Sequence, residues 1–484
     1  MIPSNRYIQS TKKDMLYPYY DAIVIGAGIA GLVCGAFLAK NGKKALIVEQ
    51  HSIPGGYCTS FKRKGFNFDA AVHHIGGCGK WGIVGRCLKT LGIEMNFYPL
   101  DPMDHLIFPN FTVEIPSDLD EYIVRLQDRY PSEKNSIKNF FQDFTKLYRA
   151  TFNNEKSQII DKYKNQTYGD MLNSFFENDE LKMILSGQWG YIGLPPTKAS
   201  AIGMCQMMVN YLKDGAFFPA GGTQEFANAI FKKFIDLGGH VMLSSTAIKI
   251  LSNGNTVKGV KLQDGKEIVS DLVVSNVDVR QTFFKLLEGK TDSAFLKKID
   301  SMRESCSFFL LYLGMGEGID LSRLKRGFYH AATSINSMDR EWLYISVPTR
   351  TCQALAPLNK QIISVVVYMK EGTYKDVTDW KSFKESMTVN TINRLESYIP
   401  DLKKHIEVKE SATPKTLERY TSNTNGAAYG WEVTVDQIWE NRLPHKTPVE
   451  NLYLTGHWTK PGPGICAVVS SGWGVANLIM ENWR

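Results

Sequence analysis

Residues 22–39 (AIVIGAGIAGLVCGAFLA) run for eighteen positions without a charge, long enough to imitate a membrane-spanning helix. Glycines at 26, 28, 31 and 35 divide that run, and a span leaves them unexplained. A strand buried on both faces accounts for Ala22–Ile25, and a glycine turn and a helix over 29–40 follow, ended by Asn41-Gly42. Residues 44–48 read as a second strand. Further along, Phe226, Ile230 and Phe234 recur at helical spacing and predict a helix over 223–237, with a strand over 240–245. Residues 257–274 alternate like a hairpin around Asp264-Gly265 and end at Val273-Val274-Ser275-Asn276. Helices are predicted at 136–152, 168–186 and 381–398, and strands at 307–313, 342–347 and 362–369. A chain of 484 residues exceeds one ordinary core, so two domains or more are expected.

The first turn carries chemistry. In Gly26-Ala27-Gly28-Ile29-Ala30-Gly31, the first glycine permits the tight turn and the second lets backbone approach a pyrophosphate. The third lets the helix pack close on the strand, and the N–H groups at the start of that helix face phosphate. Glu49 follows the last glycine by eighteen positions, where an acid accepts hydrogen bonds from ribose hydroxyls. Ala30 in the turn and Gln50 beside the acid complete the candidate set. FAD and NAD share this fingerprint. The glycine pair Gly55-Gly56 fits either a loop passing close to the cofactor or an ordinary turn.

Composition narrows the class. Hydrophobic residues make up 43% and charged residues 22%, as in a soluble globular chain, and the net charge of +7 is spread without a long basic tract. Nucleic acid is therefore not an expected partner, and peripheral contact with an anionic membrane surface stays open. The eight cysteines form no metal or disulfide pattern, and residues 1–20 lack a secretory apolar core. A cytoplasmic chain with reduced thiols, binding no metal, is the expectation.

The segment EQHSIPGGYCTSFKRKGFNFDAAVHHIGG resembles the flavin-binding segment of the carotenoid isomerase, phytoene desaturase and retinol saturase superfamily, whose fold is amine-oxidase-like. Tyr57 stands where many desaturases have Arg. Residues 215–222 (GAFFPAGG) resemble the family segment that runs beneath the flavin, and Ala247 resembles the residue whose backbone meets the adenine. Residues 451–465 (NLYLTGHWTKPGPGI) resemble the C-terminal strand, glycine loop and helix N-terminus, with His457 where an acid is usual. The resemblance implies FAD, held by Gly26, Gly28, Ala30, Gly31, Glu49, Gln50, Gly55, Gly56, Ala247, Gly456, His457, Gly464 and Ile465. It implies an α/β fold: a discontinuous Rossmann-type FAD-binding domain (1–99, 212–300 and 431–484) and an inserted mixed-sheet and helical substrate domain (100–211 and 301–430).

His73 and His74 then lie near the flavin, as acid/base candidates or as pocket walls. Trp458 and Lys460 either face the substrate or hold their loop. Met204, Met207, Met208 and Tyr211 crowd one segment, which reads either as core packing or as the wall of an apolar tunnel, with Met208 and Tyr211 the substrate candidates. The implied function is FAD-dependent chemistry on carbon–carbon bonds of a lipophilic polyene, by desaturation, saturation or cis–trans isomerisation. No second nucleotide fingerprint is visible, so oxygen or a quinone is the expected electron acceptor. A flavin amine oxidase acting on C–N bonds and a prenyl-binding escort protein without redox turnover are the alternatives.

Overall fold

The computed structural model describes residues 18–152, 157–370 and 372–483. At its centre the strands His240–Met242, Ala45–Val48, Ala22–Ile25, Val273–Ser275 and Leu452–Leu454 lie side by side in that order, every neighbouring pair parallel. Three separate stretches of sequence thus build one sheet. The helix Ile29–Lys40 is buried all round except at Lys40, which explains why its sequence imitates a span. It packs on the sheet and against the helices Thr223–Asp236 and Ile465–Asn482. A Cβ at Gly472 would lie 2.3 Å from the Ala30 carbonyl oxygen, so the C-terminal helix crosses here only because that position lacks a side chain. No helix among the described residues is long and apolar enough to cross a membrane.

A second sheet, over the other face, orders Tyr19–Tyr20, Glu267–Ser270, Thr256–Leu262 and Ala247–Asn253. The expected hairpin therefore stops at Ser270. Val273–Ser275 leaves it and joins the parallel sheet, because its three residues are buried and pair on both sides. The expected strand over 240–245 ends at Met242, since Ser244 turns into a left-handed conformation (φ 50°).

The largest sheet is mixed and has seven strands, ordered Ile406–Ala412, Ser307–Met315, Gln361–Met369, Trp342–Ser346, Gly327–His330, Asp104–Ile107 and Thr112–Ile115. Along Ser307–Met315 every side chain is buried, but alternate ones serve different cores. Phe309, Leu311, Leu313 and Met315 pack beneath the helix Trp380–Glu396, through Ile392 and Leu395. Phe308, Leu310 and Tyr312 face a helical layer built from Lys134–Phe152, Tyr168–Phe175, Asp179–Ser186 and Ala201–Asp214. The single helix expected over 168–186 is two, because Phe176 is extended and Asn178 caps the second through its side chain (Leu181 N, 2.9 Å).

Candidate functional site

The C-terminal ends of the parallel strands open on a cavity of about 840 Å³, lined there by Gly26, Glu49, Asn276 and Gly456. That is where an open α/β sheet binds its ligand. The Glu49 carboxylate accepts the backbone N–H groups of Ala27 and His51, both at 2.7 Å. Burial raises its pKa and those amides oppose the rise. Each oxygen keeps a lone pair for a ribose hydroxyl.

The glycine pair presses directly on the phosphate turn. Gly55 N donates to the Ala27 carbonyl (2.8 Å), and a Cβ on Gly56 would lie 3.3 Å from Gly28 Cα. Gln224, on the helix Thr223–Asp236, ties that loop down by donating to the Pro54 carbonyl (2.8 Å). The helix has no cap of its own at Gly222. The half-buried Asp69 replaces one, accepting from Thr223 N (2.9 Å) and Thr223 Oγ1 (3.0 Å), and desolvation pushes its carboxyl up to about 6.

Gly28, Ala30, Gln50, Ala247, His457, Gly464 and Ile465 also line the cavity, as do His73, His74, Tyr211 and Trp458. Gly31 does not: it lies beneath the turn, where a Cβ would meet the Gly26 carbonyl oxygen at 2.1 Å. Met208 is a correction. Along Ala201–Asp214 the positions Gly203, Gln206, Met207, Asn210 and Tyr211 form the cavity face. Met208 falls on the other face, fully buried in the helical core with Tyr168 Oη donating to its sulfur at 3.5 Å. Lys460 is also absent from the lining, its backbone N–H bonded to the Leu443 carbonyl. Trp458 is 2% exposed, with Nε1 donating to Asn423 Oδ1 (3.0 Å) and its ring edge-on to Trp431.

Three polar groups were not singled out from the sequence. Asn276 Nδ2 donates to the Gly26 carbonyl (3.2 Å), and a Cβ at Gly456 would strike Asn276 Oδ1 at 2.6 Å, so this amide locks the first and last glycine loops together. Its signal was a polar residue closing an apolar strand. Arg442, fully buried, donates to the carbonyls of His457 (2.6 Å) and Thr459 (3.2 Å) and holds the C-terminal loop. Burial lowers Arg442 to about 9, and burial together with Arg442 lowers His457 to about 3, leaving that imidazole neutral.

The third is Asp104, fully buried behind the aromatic part of the cavity. It accepts from Tyr191 Oη (2.6 Å), Gln188 Nε2 (2.7 Å) and Tyr344 Oη (3.1 Å). His73 stacks on Tyr344 at 4.0 Å, and His74 Nδ1 lies 3.5 Å from Tyr344 Oη. Burial lowers His73 to about 4 and His74 well below its ordinary value, so both rings are neutral near pH 7. Each neutral ring keeps one N–H donor and one acceptor nitrogen. His73 Nδ1 and His74 Nε2 are buried without a partner.

Residues 24–87 match the model of an NAD(P)-binding Rossmann-like domain. The whole chain is similar to the chloroplastic prolycopene isomerase of Arabidopsis thaliana, 25% identical over 96% of this chain and 83% of that protein. Similarity of the same degree, 25%, extends to the all-trans-retinol 13,14-reductase of Danio rerio (90% of this chain, 82% of that one). It extends also to a 4,4'-diapophytoene desaturase of a Methylomonas species (96% and 95%). Among solved structures, an oxidoreductase from Methanosarcina mazei matches with a TM-score of 0.67 at 18% identity, covering 95% of this chain and 100% of that one. Putrescine oxidase matches at 0.66 and 12%, covering 96% and 99%. Along nearly its whole length the chain is thus similar to isomerases, reductases and desaturases of carotenoids and retinoids, and it shares a Rossmann-type dinucleotide-binding unit and the fold of the amine oxidases.

Proposed function

We propose that the chain binds FAD and acts on carbon–carbon bonds of a lipophilic polyene, by desaturation, saturation or cis–trans isomerisation. One observation carries this reading: a single cavity joins the dinucleotide cradle to a chamber walled by aromatic and apolar side chains. The cradle suits the cofactor. Space at Gly26, Gly28 and Gly56 is reserved for backbone approach, Glu49 has free lone pairs, and His457 presents an unpartnered Nε2 among the lining residues. A bound flavin supplies hydride or electron exchange and asks the protein for placement and exclusion of water. Gly26, Gly28, Ala30, Gly55 and Gly56 would hold its phosphates, with Gly31 acting from beneath. Glu49, Gln50 and Ala247 would hold the adenosine part, and Gly456, His457, Gly464 and Ile465 the flavin part.

Residues 1–99, 212–300 and 431–484 form the cofactor domain in this reading, and 100–211 and 301–430 the substrate domain. Neutral His73 and His74 close the chamber against water and serve as proton acceptors where the reaction needs one. Trp458 holds the C-terminal loop against the substrate side. The electron acceptor is oxygen or a quinone, and the lipophilic substrate is drawn from a membrane surface that the chain touches peripherally.

Anaerobic incubation with polyenes, retinoids and amines, following flavin absorbance and products, tests the proposal. Net bleaching by a polyene marks redox transfer, and an isomerised product with unchanged flavin marks isomerisation. Bleaching by amines alone would replace the proposal with C–N oxidation, and natively purified protein without a flavin band would end it.

A further inference from the structure

The rings at the substrate end form one continuous surface. His73 lies on Tyr344, Tyr344 and Tyr191 each meet Phe328 edge-on at 4.9 Å, Phe328 meets Trp342 at 5.2 Å, and Tyr191 lies 5.4 Å from Tyr211. All six line the cavity. A wall of greasy packing would not need a buried acid, yet Asp104 sits behind this one and accepts hydrogen bonds from the hydroxyls of Tyr191 and Tyr344. A phenol that donates to a carboxylate pushes electron density into its ring, and a more negative ring face attracts positive charge more strongly. Arg326 is the cation that acts on Asp104, and its guanidinium is turned to the carbonyls of Pro102 and Met103.

We propose that this wall is a cation-stabilising subsite, which favours electron-deficient carbon of a polyene over the neutral hydrocarbon, with Asp104 as the positioning residue that orients and charges Tyr191 and Tyr344. The inference rests on the polyene reading and adds which part of the cavity holds the reacting segment. Charge of this sign would develop on the chain if a C–H bond broke with its electron pair leaving as hydride, which a bound flavin would accept, and return of the hydride would restore the neutral chain. A conjugated chain spreads that charge over many carbons, and a broad wall of rings matches the spread better than one ring would.

The test uses the flavin-loaded full chain, titrated with geranyltrimethylammonium and with its neutral isostere, in which carbon replaces the quaternary nitrogen. Tryptophan fluorescence reports both affinities in the wild type and in Asp104→Asn, Tyr191→Phe and Tyr344→Phe. The wild type is expected to prefer the cation by about tenfold, and each variant to cut that preference about threefold with little change for the isostere. Equal affinities in the wild type, or an unchanged preference in all variants, would overturn the subsite. If Asp104→Asn does not fold, the two Phe variants, which keep their rings, decide the matter. A chain that keeps the cation preference but bleaches with amines and ignores polyenes would refute the polyene reading and leave the subsite standing.

Discussion

Replacing Asp104 by Asn isolates the titration of one buried carboxyl from every other group in the chain. Burial raises Asp104 from an ordinary 3.8 to about 6, even against the donors Tyr191, Tyr344 and Gln188 and the attraction of Arg326; His73 and His74, the other titratable groups nearby, are neutral. The folded chain therefore holds this proton more tightly than the unfolded chain does. The resulting stability is present in full below about pH 4 and is lost as pH rises through about 6. A shift of roughly two units corresponds to about 3 kcal/mol. Asn cannot titrate, so the stability of the wild type relative to Asp104→Asn should fall by about 3 kcal/mol between pH 4 and pH 7, and level off above. Urea denaturation of the two proteins at matched pH measures this difference, and Asp69, whose carboxyl is also pushed up to about 6, cancels in the comparison. A difference independent of pH would refute the reasoning. It would mean that three hydrogen bonds to a charged acceptor, each worth about 1.5–3 kcal/mol, offset burial completely.

Gly31→Ala should yield protein without bound flavin, because the new Cβ would lie 2.1 Å from the Gly26 carbonyl oxygen and unseat the phosphate turn; flavin absorbance per chain at the wild-type level would contradict this. Met208→Ala should lose about 2–5 kcal/mol of stability and leave KM for substrate unchanged, as expected of a core residue. A shifted KM in a stably folded variant would return Met208 to the substrate wall. Trp458→Phe should cost about 1 kcal/mol through the lost bond to Asn423, read as a lower midpoint in thermal unfolding, while its ring still packs on Trp431.

The cofactor end was legible because its constraints are local and act on backbone. A turn that must approach phosphate excludes side chains at fixed spacings, so Gly26, Gly28 and Gly31 announce themselves, and Glu49 follows at the distance one helix and one strand impose. Element types were legible where periodicity was strong, as in Thr223–Asp236, and where an unbroken apolar run was bounded by turn residues, as in Ile29–Lys40 and Ser307–Met315. The break at Phe176–Asn178 was signalled by Asn178-Asp179-Glu180, a cap followed by first-turn acids, but the apolar period continued across it and masked the break. Met208 failed for a subtler reason. Methionines at 204, 207 and 208 are equivalent in composition, and only the phase of the helix against its neighbours separates Met207, on the cavity, from Met208, in the core.

The substrate end was not legible, and the cause lies in how a polar residue becomes informative. Asp104 stands in a run, Met103-Asp104-His105-Leu106-Ile107, where alternation permits either face to be wet. It becomes a buried acid only because Gln188 and Tyr191 come from a turn more than eighty residues away and Tyr344 from a strand 240 residues away. Arg442 likewise reads as an ordinary surface base until its loop folds it under the carbonyls of His457 and Thr459. In both cases the chain spends polar groups in places where burial penalises them, and apolar replacements would pack more simply. Such groups persist where they fix geometry that packing alone leaves loose. Here they fix the C-terminal loop, through the carbonyls of His457 and Thr459, and the aromatic wall, through the hydroxyls of Tyr191 and Tyr344, two parts of the cavity that the glycines do not shape.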